Sequence, residues 1–434
     1  MSTQNTQAPC LSLGAATLIN LNMMLGSGIF ANTVLLGSIL KGSAPFAYIF
    51  LGVAILPLIY AFQKLLGHFS QATFYDLGAT ISPFVGFLSG WSYFFAKLAS
   101  CSFSIHFFVT LMQTLIPSLA IFPTIAIDMV ILSLFMYLNS FNLGIGRNIQ
   151  YLFFFLKSLP ILFVILSLIF TFSLTYITPA NFSWMNIPAA IPFVLFAMTG
   201  FEASCSLSAS IKDSQRNGPR AIIYSFAIVL CVLFLYQVSF FIAFGPELGN
   251  IDGYKQAFPA LVNLLHFSPI VSTICKAITM SGIAVSALGA SYGILYSNNW
   301  NMYGLAQRGY VFGSSWLTKK NKHGIPFFCM LIQGSFIAFY ALVLHNTQTL
   351  LQQMSACGIT MAYTISTCAF IVLIYRKHVT SMVWGLLALG SCSMLILTLI
   401  KNAFAFGPLS YIVFSAFVIF GVAMYGIRRP GTLK

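Results

Sequence analysis

The chain is 434 residues long, 59% hydrophobic and only 6% charged, with a formal net charge of +14. A water-soluble domain carries roughly 25% charged residues, so an ordinary aqueous surface is excluded. The basic excess lies in short loops between apolar runs, the pattern that orients a membrane protein, and this argues against nucleic acid as a partner.

Runs of about 20 apolar residues have the length of a membrane-crossing helix. They are continuous rather than alternating, so a β-barrel is set aside. Twelve are read, giving an all-α polytopic membrane protein of about 12 transmembrane helices. Before the first run, Met1 to Cys10 lacks the basic region of a cleaved signal peptide, and none is expected. The first run, Leu13 to Ile39, carries Gly26-Ser27-Gly28-Ile29-Phe30 at its middle, and each glycine lowers helix propensity by about 1 kcal/mol relative to alanine. Two readings stay open there. One is an unwound stretch facing a protein-lined cavity; the other is close helix packing through small residues. The second run is Ala44 to Leu66. The third, Phe84 to Thr110, carries Lys97 at mid-span, where insertion costs about 2.5 to 3.5 kcal/mol, so this lysine must face protein or water. The fourth, Phe122 to Ser140, holds Asp128 near its outer end, read as interfacial. The fifth, Ile149 to Phe172, carries Lys157, for which snorkelling to the nearer face competes with a functional role.

The sixth run, Ile187 to Ile211, contains Phe196-Ala197-Met198-Thr199-Gly200-Phe201-Glu202, a second mid-span glycine, this time beside a carboxylate. The remaining runs are Ala221 to Phe244, Ile270 to Tyr296, Phe327 to Leu344, Met354 to Tyr375, Ser381 to Ile400 and Leu409 to Ile427. Lys276, near the outer end of the eighth, is read as snorkelling. At 1.5 Å per residue, Gly26, Lys97, Lys157 and Glu202 all fall in the central zone of a ~30 Å core, which suggests one shared cavity. Interrupted segments at matching places in two halves point to a transporter's binding site. Lys64, Arg147, Arg216, Arg308 and Arg376 fall on one side of the membrane and Lys41, Lys255 and Lys401 on the other, which places both termini in the cytoplasm. The cysteines lack metal-ligand spacing and are read as buried hydrophobes, so neither metal nor cofactor is expected. No HExxH or paired-aspartate constellation is visible, so the chain is not read as an enzyme, and with no channel filter visible an ion channel stays only as the lesser alternative.

Together these segments resemble the amino acid–polyamine–organocation superfamily of permeases. Gly26-Ser27-Gly28-Ile29-Phe30 is similar to its first-helix motif. Gly200-Phe201-Glu202 with Lys212 to Arg220 resembles its sixth-helix and loop signature. Gln150 through Lys157 to Pro160 resembles its fifth-helix segment, and Leu305-Ala306-Gln307-Arg308-Gly309 to Gly324-Ile325-Pro326 resembles the loop after its eighth helix, with the usual aspartate missing.

The resemblance implies a single transporter domain over 1–434 with a leucine-transporter-type fold. Residues 13–172 and 187–375 form inverted five-helix repeats with broken helices 1 and 6, and 381–427 supply two further helices. It implies a cell (inner) membrane protein that carries amino acids or related amines without sodium, by proton coupling or exchange. A polyamine or organocation exchanger is the alternative. A small-molecule substrate and the lipid bilayer are the partners it implies, and it leaves a homodimer open. The substrate carboxylate would meet the amides of Ser27, Gly28 and Ile29, and its ammonium the carbonyls of Asn22, Met23, Met24 and the segment Phe196 to Thr199. Phe196 is the implied lid, Gly200 part of the second break, and Glu202 a gate or proton-linked carboxylate. Lys157 would replace a sodium ion between helices 1 and 8, where a titratable amine also suits proton coupling. Lys97, Ser100, Cys101, Tyr292 and Ser355 are the candidate pocket side chains. The roles open to Lys97 are pairing with Glu202 and reading an acidic group on the substrate.

Overall fold

The computed structural model describes residues 11–69, 73–141, 143–344, 348–377 and 379–427. Among these residues the fold is all-helical. No β-strand forms, only two isolated bridges, Leu11 with Ile211 and Lys41 with Phe182. The helices are α1 (Leu13–Met24), α2 (Ser27–Leu40), α3 (Ala44–Ala54), α4 (Leu56–His68), α5 (Phe74–Ala79), α6 (Pro83–Leu115), α7 (Thr124–Asn139), α8 (Leu143–Thr171) and α9 (Ile187–Met198). They continue with α10 (Ala203–Ser206), α11 (Ser214–Phe244), α12 (Gly253–Leu264), α13 (Pro269–Gln307), α14 (Ser314–Leu317), α15 (Phe327–Leu344), α16 (Gln348–Lys377), α17 (Met382–Phe406) and α18 (Leu409–Ile427). Eight helical segments among the described residues are long and apolar enough to cross a membrane, or nine with the bent pair α3–α4 counted as one span. Three shorter apolar helices, Thr124–Asn139, Trp184–Met198 and Phe327–Val343, accompany them. The surface is turned inside out relative to a soluble protein. Ile169 and Phe170 on α8 are 72% and 77% exposed and Phe404 on α17 is 86% exposed, whereas Asn20, Asn22, Lys157 and Glu202 are fully buried. Lipid is the solvent that accepts such an outside.

The first run splits at Leu25–Gly26, between α1 and α2. Both readings of its glycines hold together. A Cβ on Gly26 would lie 2.6 Å from Ala290 Cβ on α13, and one on Gly28 would lie 3.0 Å from Ala197 and Phe196 on α9. The chain unwinds there and also packs as closely as only a glycine permits.

The sixth run is interrupted between α9 and α10. Gly200 takes φ +132°, a conformation reserved for glycine, and a Cβ on it would meet the Met24 main-chain N at 2.9 Å. The two breaks therefore touch. Leu11 N–H donates to Ser210 O at 2.7 Å and Lys212 N–H to Leu11 O at 2.9 Å, tying the start of α1 to the chain beyond α10.

Three features depart from the sequence expectations. The run Ala44 to Leu66 is bent by 44° between α3 and α4. Pro57, early in α4, has no N–H to donate and its ring crowds the carbonyl one turn back, which bends an apolar run that otherwise reads as straight. The eighth run continues well past Tyr296, because the polar segment to Gln307 stays helical. Asp128 is not interfacial: it is buried on α7, with Oδ2 2.8 Å from His106 Nδ1 on α6. A short-range reading of α7 could not see a partner supplied by another helix.

Candidate substrate-binding site

Where the two breaks meet, Met23, Met24, Gly26, Ser27 and Gly28 line a cavity with Phe196 and Thr199 of the second break, Lys97, Ser100 and Ser104 of α6, and Ala290 and Ile294 of α13. Its volume is about 20 Å³, room for a water molecule, so this conformation holds the site nearly closed. The residue that precedes α2 is Gly26, which has no side chain to cap the first N–H groups of the helix. The amides of Ser27, Gly28 and Ile29 thus form the open positive end of a helix, suited to an anionic group.

The opposing helix end is served by a lysine. Lys157 on α8 is fully buried, and its Nζ donates to Asn22 O and Leu25 O, both at 2.7 Å. Ser286 Oγ on α13 adds a bond to Leu25 O at 3.0 Å. An ammonium here replaces the snorkelling alternative: it satisfies carbonyls that the end of α1 leaves without helical partners. Lys157 also joins α8, α1 and α13 around one point. It does not line the cavity but stands behind it. The Asn22 amide is bonded to Gln150 of α8 as well.

Glu202 closes the other side. Its Oε1 accepts from Lys97 Nζ at 2.7 Å and from Tyr93 OH at 3.2 Å, while Oε2 accepts from Gly200 N–H at 2.7 Å. The carboxylate holds the main chain of the break between α9 and α10. Lys97 lies between it and the cavity, since Lys97 contributes to the lining and Glu202 does not. Phe196 meets Phe103 edge to face, with ring centroids 5.2 Å apart. Phe103 in turn lines a second cavity, of about 290 Å³, with Asn32, Leu35, Tyr254 and Gln352. This aromatic pair stands between the small cavity and the larger one on the side of the Lys41 and Glu247 loops.

Of the residues expected at the site, Met24, Ser27, Gly28, Lys97, Ser100, Phe196 and Thr199 line the cavity. Ser355 stands behind Ser100, with their hydroxyl oxygens 2.6 Å apart. Gly200 shapes the break without lining it, and the side chain of Ile29 is buried away from the cavity. Two of the expected side chains, Cys101 and Tyr292, do not line this cavity. Cys101 turns its Sγ toward Ser291 O, 3.7 Å away on α13. Tyr292 packs edge to face on Phe135 of α7 and tilted against Phe153 of α8. On α13 it is Ala290 and Ile294, one turn apart, that face the cavity, and Tyr292 lies between them on another face. Ser104 was missed, although it completes the helical spacing Lys97, Ser100, Ser104 along one face of α6. Its Oγ is 2.7 Å from Ser27 Oγ. The loop after α13 keeps an ion pair despite its missing aspartate: Arg308 pairs with Asp76 of α5, and its guanidinium lies 4.2 Å from the Tyr75 ring centroid.

The amino acid permease family model matches residues 11–428, nearly the whole length just described. The chain belongs to the amino acid permease family. It is therefore a transporter of the amino acid–polyamine–organocation superfamily, with a small-molecule substrate and a lipid environment. Similar permeases include the D-serine/D-alanine/glycine transporter of Escherichia coli, 21% identical over 385 residues that cover 83% of this chain and 79% of that protein. A low-affinity putrescine importer of the same organism is 24% identical over 274 residues, 58% of each chain. An uncharacterized transporter of Mycobacterium tuberculosis is 24% identical over 444 residues, covering 96% of this permease and 91% of its relative.

Proposed function

We propose that this permease carries amino acids by alternating access, without sodium, either coupled to protons or in exchange. The observation that carries this reading is the meeting of the two helix breaks. Uncapped amides at the start of α2 suit a carboxylate, and the Met23 and Met24 carbonyls with the end of α9 suit an ammonium. Lys157 supports sodium independence, because its ammonium already occupies carbonyl oxygens between α1 and α13 that a cation would need. Phe196 against Phe103 is the gate toward the larger cavity, and Lys97, Glu202 and Tyr93 form the floor on the opposite side. In this reading the chain is one transporter domain. Repeats 13–172 and 187–375 are inverted copies, 381–427 is an addition, and the termini face the cytoplasm from the inner membrane. Carriage of polyamines is the second reading, favoured by the similarity to a putrescine importer.

Reconstitution into proteoliposomes tests both. Labelled amino acids and putrescine are offered with and without a pH gradient, and then with unlabelled substrate trapped inside. Uptake of an amino acid that trapped substrate accelerates is the expected result. Uptake that follows the pH gradient but not trapped substrate selects proton coupling over exchange, and uptake that neither of them alters contradicts alternating access and favours a channel.

A further inference from the structure

The segment Asn298 to Pro326, which runs from the end of α13 to the start of α15, carries four cationic residues and no aspartate or glutamate. Arg308 is taken up by Asp76, but among the described residues Lys319, Lys320 and Lys322 form no ion pair. All three are exposed. The segment is not a loose loop. It buries Val311 and Leu317, and Cys329 Sγ donates to Leu317 O at 3.2 Å. The Asn321 side chain donates to Ser140 O at 2.7 Å and accepts from Ile325 N–H at 3.0 Å. A connection held this firmly still leaves Phe312 48% and Trp316 65% exposed.

The lysines also lie at a particular depth. Lys320 Nζ is 5.5 Å from the Trp300 ring centroid and 5.0 Å from that of Tyr303. Those rings stand four and seven residues past Tyr296, where the apolar run of α13 ends, or about 6 and 10 Å along the helix. Shortly after Lys322 the chain enters the apolar helix α15 at Phe327. Such a level is that of lipid headgroups, where tryptophan and tyrosine collect.

We propose that this segment is a binding surface for anionic phospholipid of the adjoining leaflet. Lys319, Lys320 and Lys322 take the headgroup charge, and Phe312 and Trp316 lie among the upper acyl carbons. Charge decides the occupant. Water solvates the lysines but leaves two large apolar side chains wet. A zwitterionic lipid covers the rings but brings its own cation to the lysines. An anionic lipid serves both. Each lysine near such a surface is worth roughly fivefold in affinity. The surface is separate from the substrate cavity, and its occupancy does not depend on what the permease carries.

The test is fluorescence quenching of the full chain, reconstituted with phosphatidylglycerol or phosphatidylcholine brominated in the acyl chains. The Trp316 signal is the difference between wild type and Trp316→Phe. Brominated phosphatidylglycerol is expected to quench it at a mole fraction at least about tenfold lower than brominated phosphatidylcholine. Lys319→Gln, Lys320→Gln and Lys322→Gln together should make the two lipids equal, while arginine at the three positions keeps the preference. Lys212→Gln, Arg216→Gln and Arg220→Gln together, which remove as many charges from another basic loop, should keep it too. If the glutamine variant does not assemble, molar salt applied to the wild type reads the same contact, and the preference must fall. Equal quenching by both lipids in the wild type, or quenching by neither, overturns the proposal. So does a preference lost equally with the Lys212 group, since it would then belong to overall charge rather than to this surface.

Discussion

Two neighbouring apolar runs are interrupted in this molecule, and the interruptions differ in kind. Between α3 and α4 the chain bends by 44°, yet the Ile55 N–H still donates to Leu51 O and the Ile59 N–H to Ile55 O. Pro57 removes a donor that the start of a helix leaves idle in any case. The Ala54 carbonyl at the bend is met by a neutral hydroxyl, Ser391 Oγ of α17 at 2.6 Å, and no cavity described here is lined by the bend. Between α1 and α2 two residues leave the helix, and both new ends have work to do. The carbonyl end meets Lys157 Nζ and the amide end opens on the cavity. An interruption becomes a site when the freed main-chain groups face charge and space, not because the helix is broken.

That contrast can be broken at either end. The largest effect is expected from Lys157→Met, which leaves the Asn22 and Leu25 carbonyls without their ammonium in a dry interior. Initial uptake by equal amounts of reconstituted protein should fall by roughly a hundredfold or more, since two buried carbonyls lose their donor. Retention of wild-type uptake would remove Lys157 from the account. Next is Gly26→Ala, whose new methyl would lie 2.6 Å from Ala290 Cβ. Forcing α1 away from α13 should reduce uptake by about tenfold or more, as overpacking costs typically 1–3 kcal/mol. Adding Ala290→Gly should restore part of it. Equal losses in the single and double variants would show that the contact does not matter.

Smaller changes should follow from Arg308→Gln, because its pair with Asp76 is partly exposed. Such pairs are worth about 0–1 kcal/mol, and thermal unfolding in detergent should shift by only a few degrees. The smallest effect belongs to the dry bend. Pro57→Ala should leave uptake within about twofold, as substitutions away from charge, cavity and cap rarely exceed that. A large loss there would erase the distinction between the two interruptions.

Much of this was legible in the sequence, for identifiable reasons. A glycine pair around a serine, and a glycine beside a glutamate, are conspicuous in otherwise uniform apolar runs. Lys97, Lys157 and Glu202 stand out because lipid forbids them unless protein receives them. Helix positions were readable from hydropathy, though α13 extends beyond its read end because hydropathy does not register polar helix outside the bilayer. What stayed hidden was direction. Tyr292 and Ala290 lie two residues apart, and the sequence alone gave no reason to prefer the alanine's face for the cavity. Cys101 and Ser104 posed the same choice on α6, and the partners Asp128–His106 and Arg308–Asp76 come from separate elements brought together only by the fold.

The central claim is that main-chain groups freed at two touching breaks hold the substrate, with the Lys157 ammonium in the place of a metal cation. Initial uptake measured in sodium buffer and again with sodium replaced by choline, at fixed pH gradient, tests it most directly. The account predicts equal rates. Uptake that disappears in choline would mean that transport needs a sodium ion in spite of Lys157, and would contradict it.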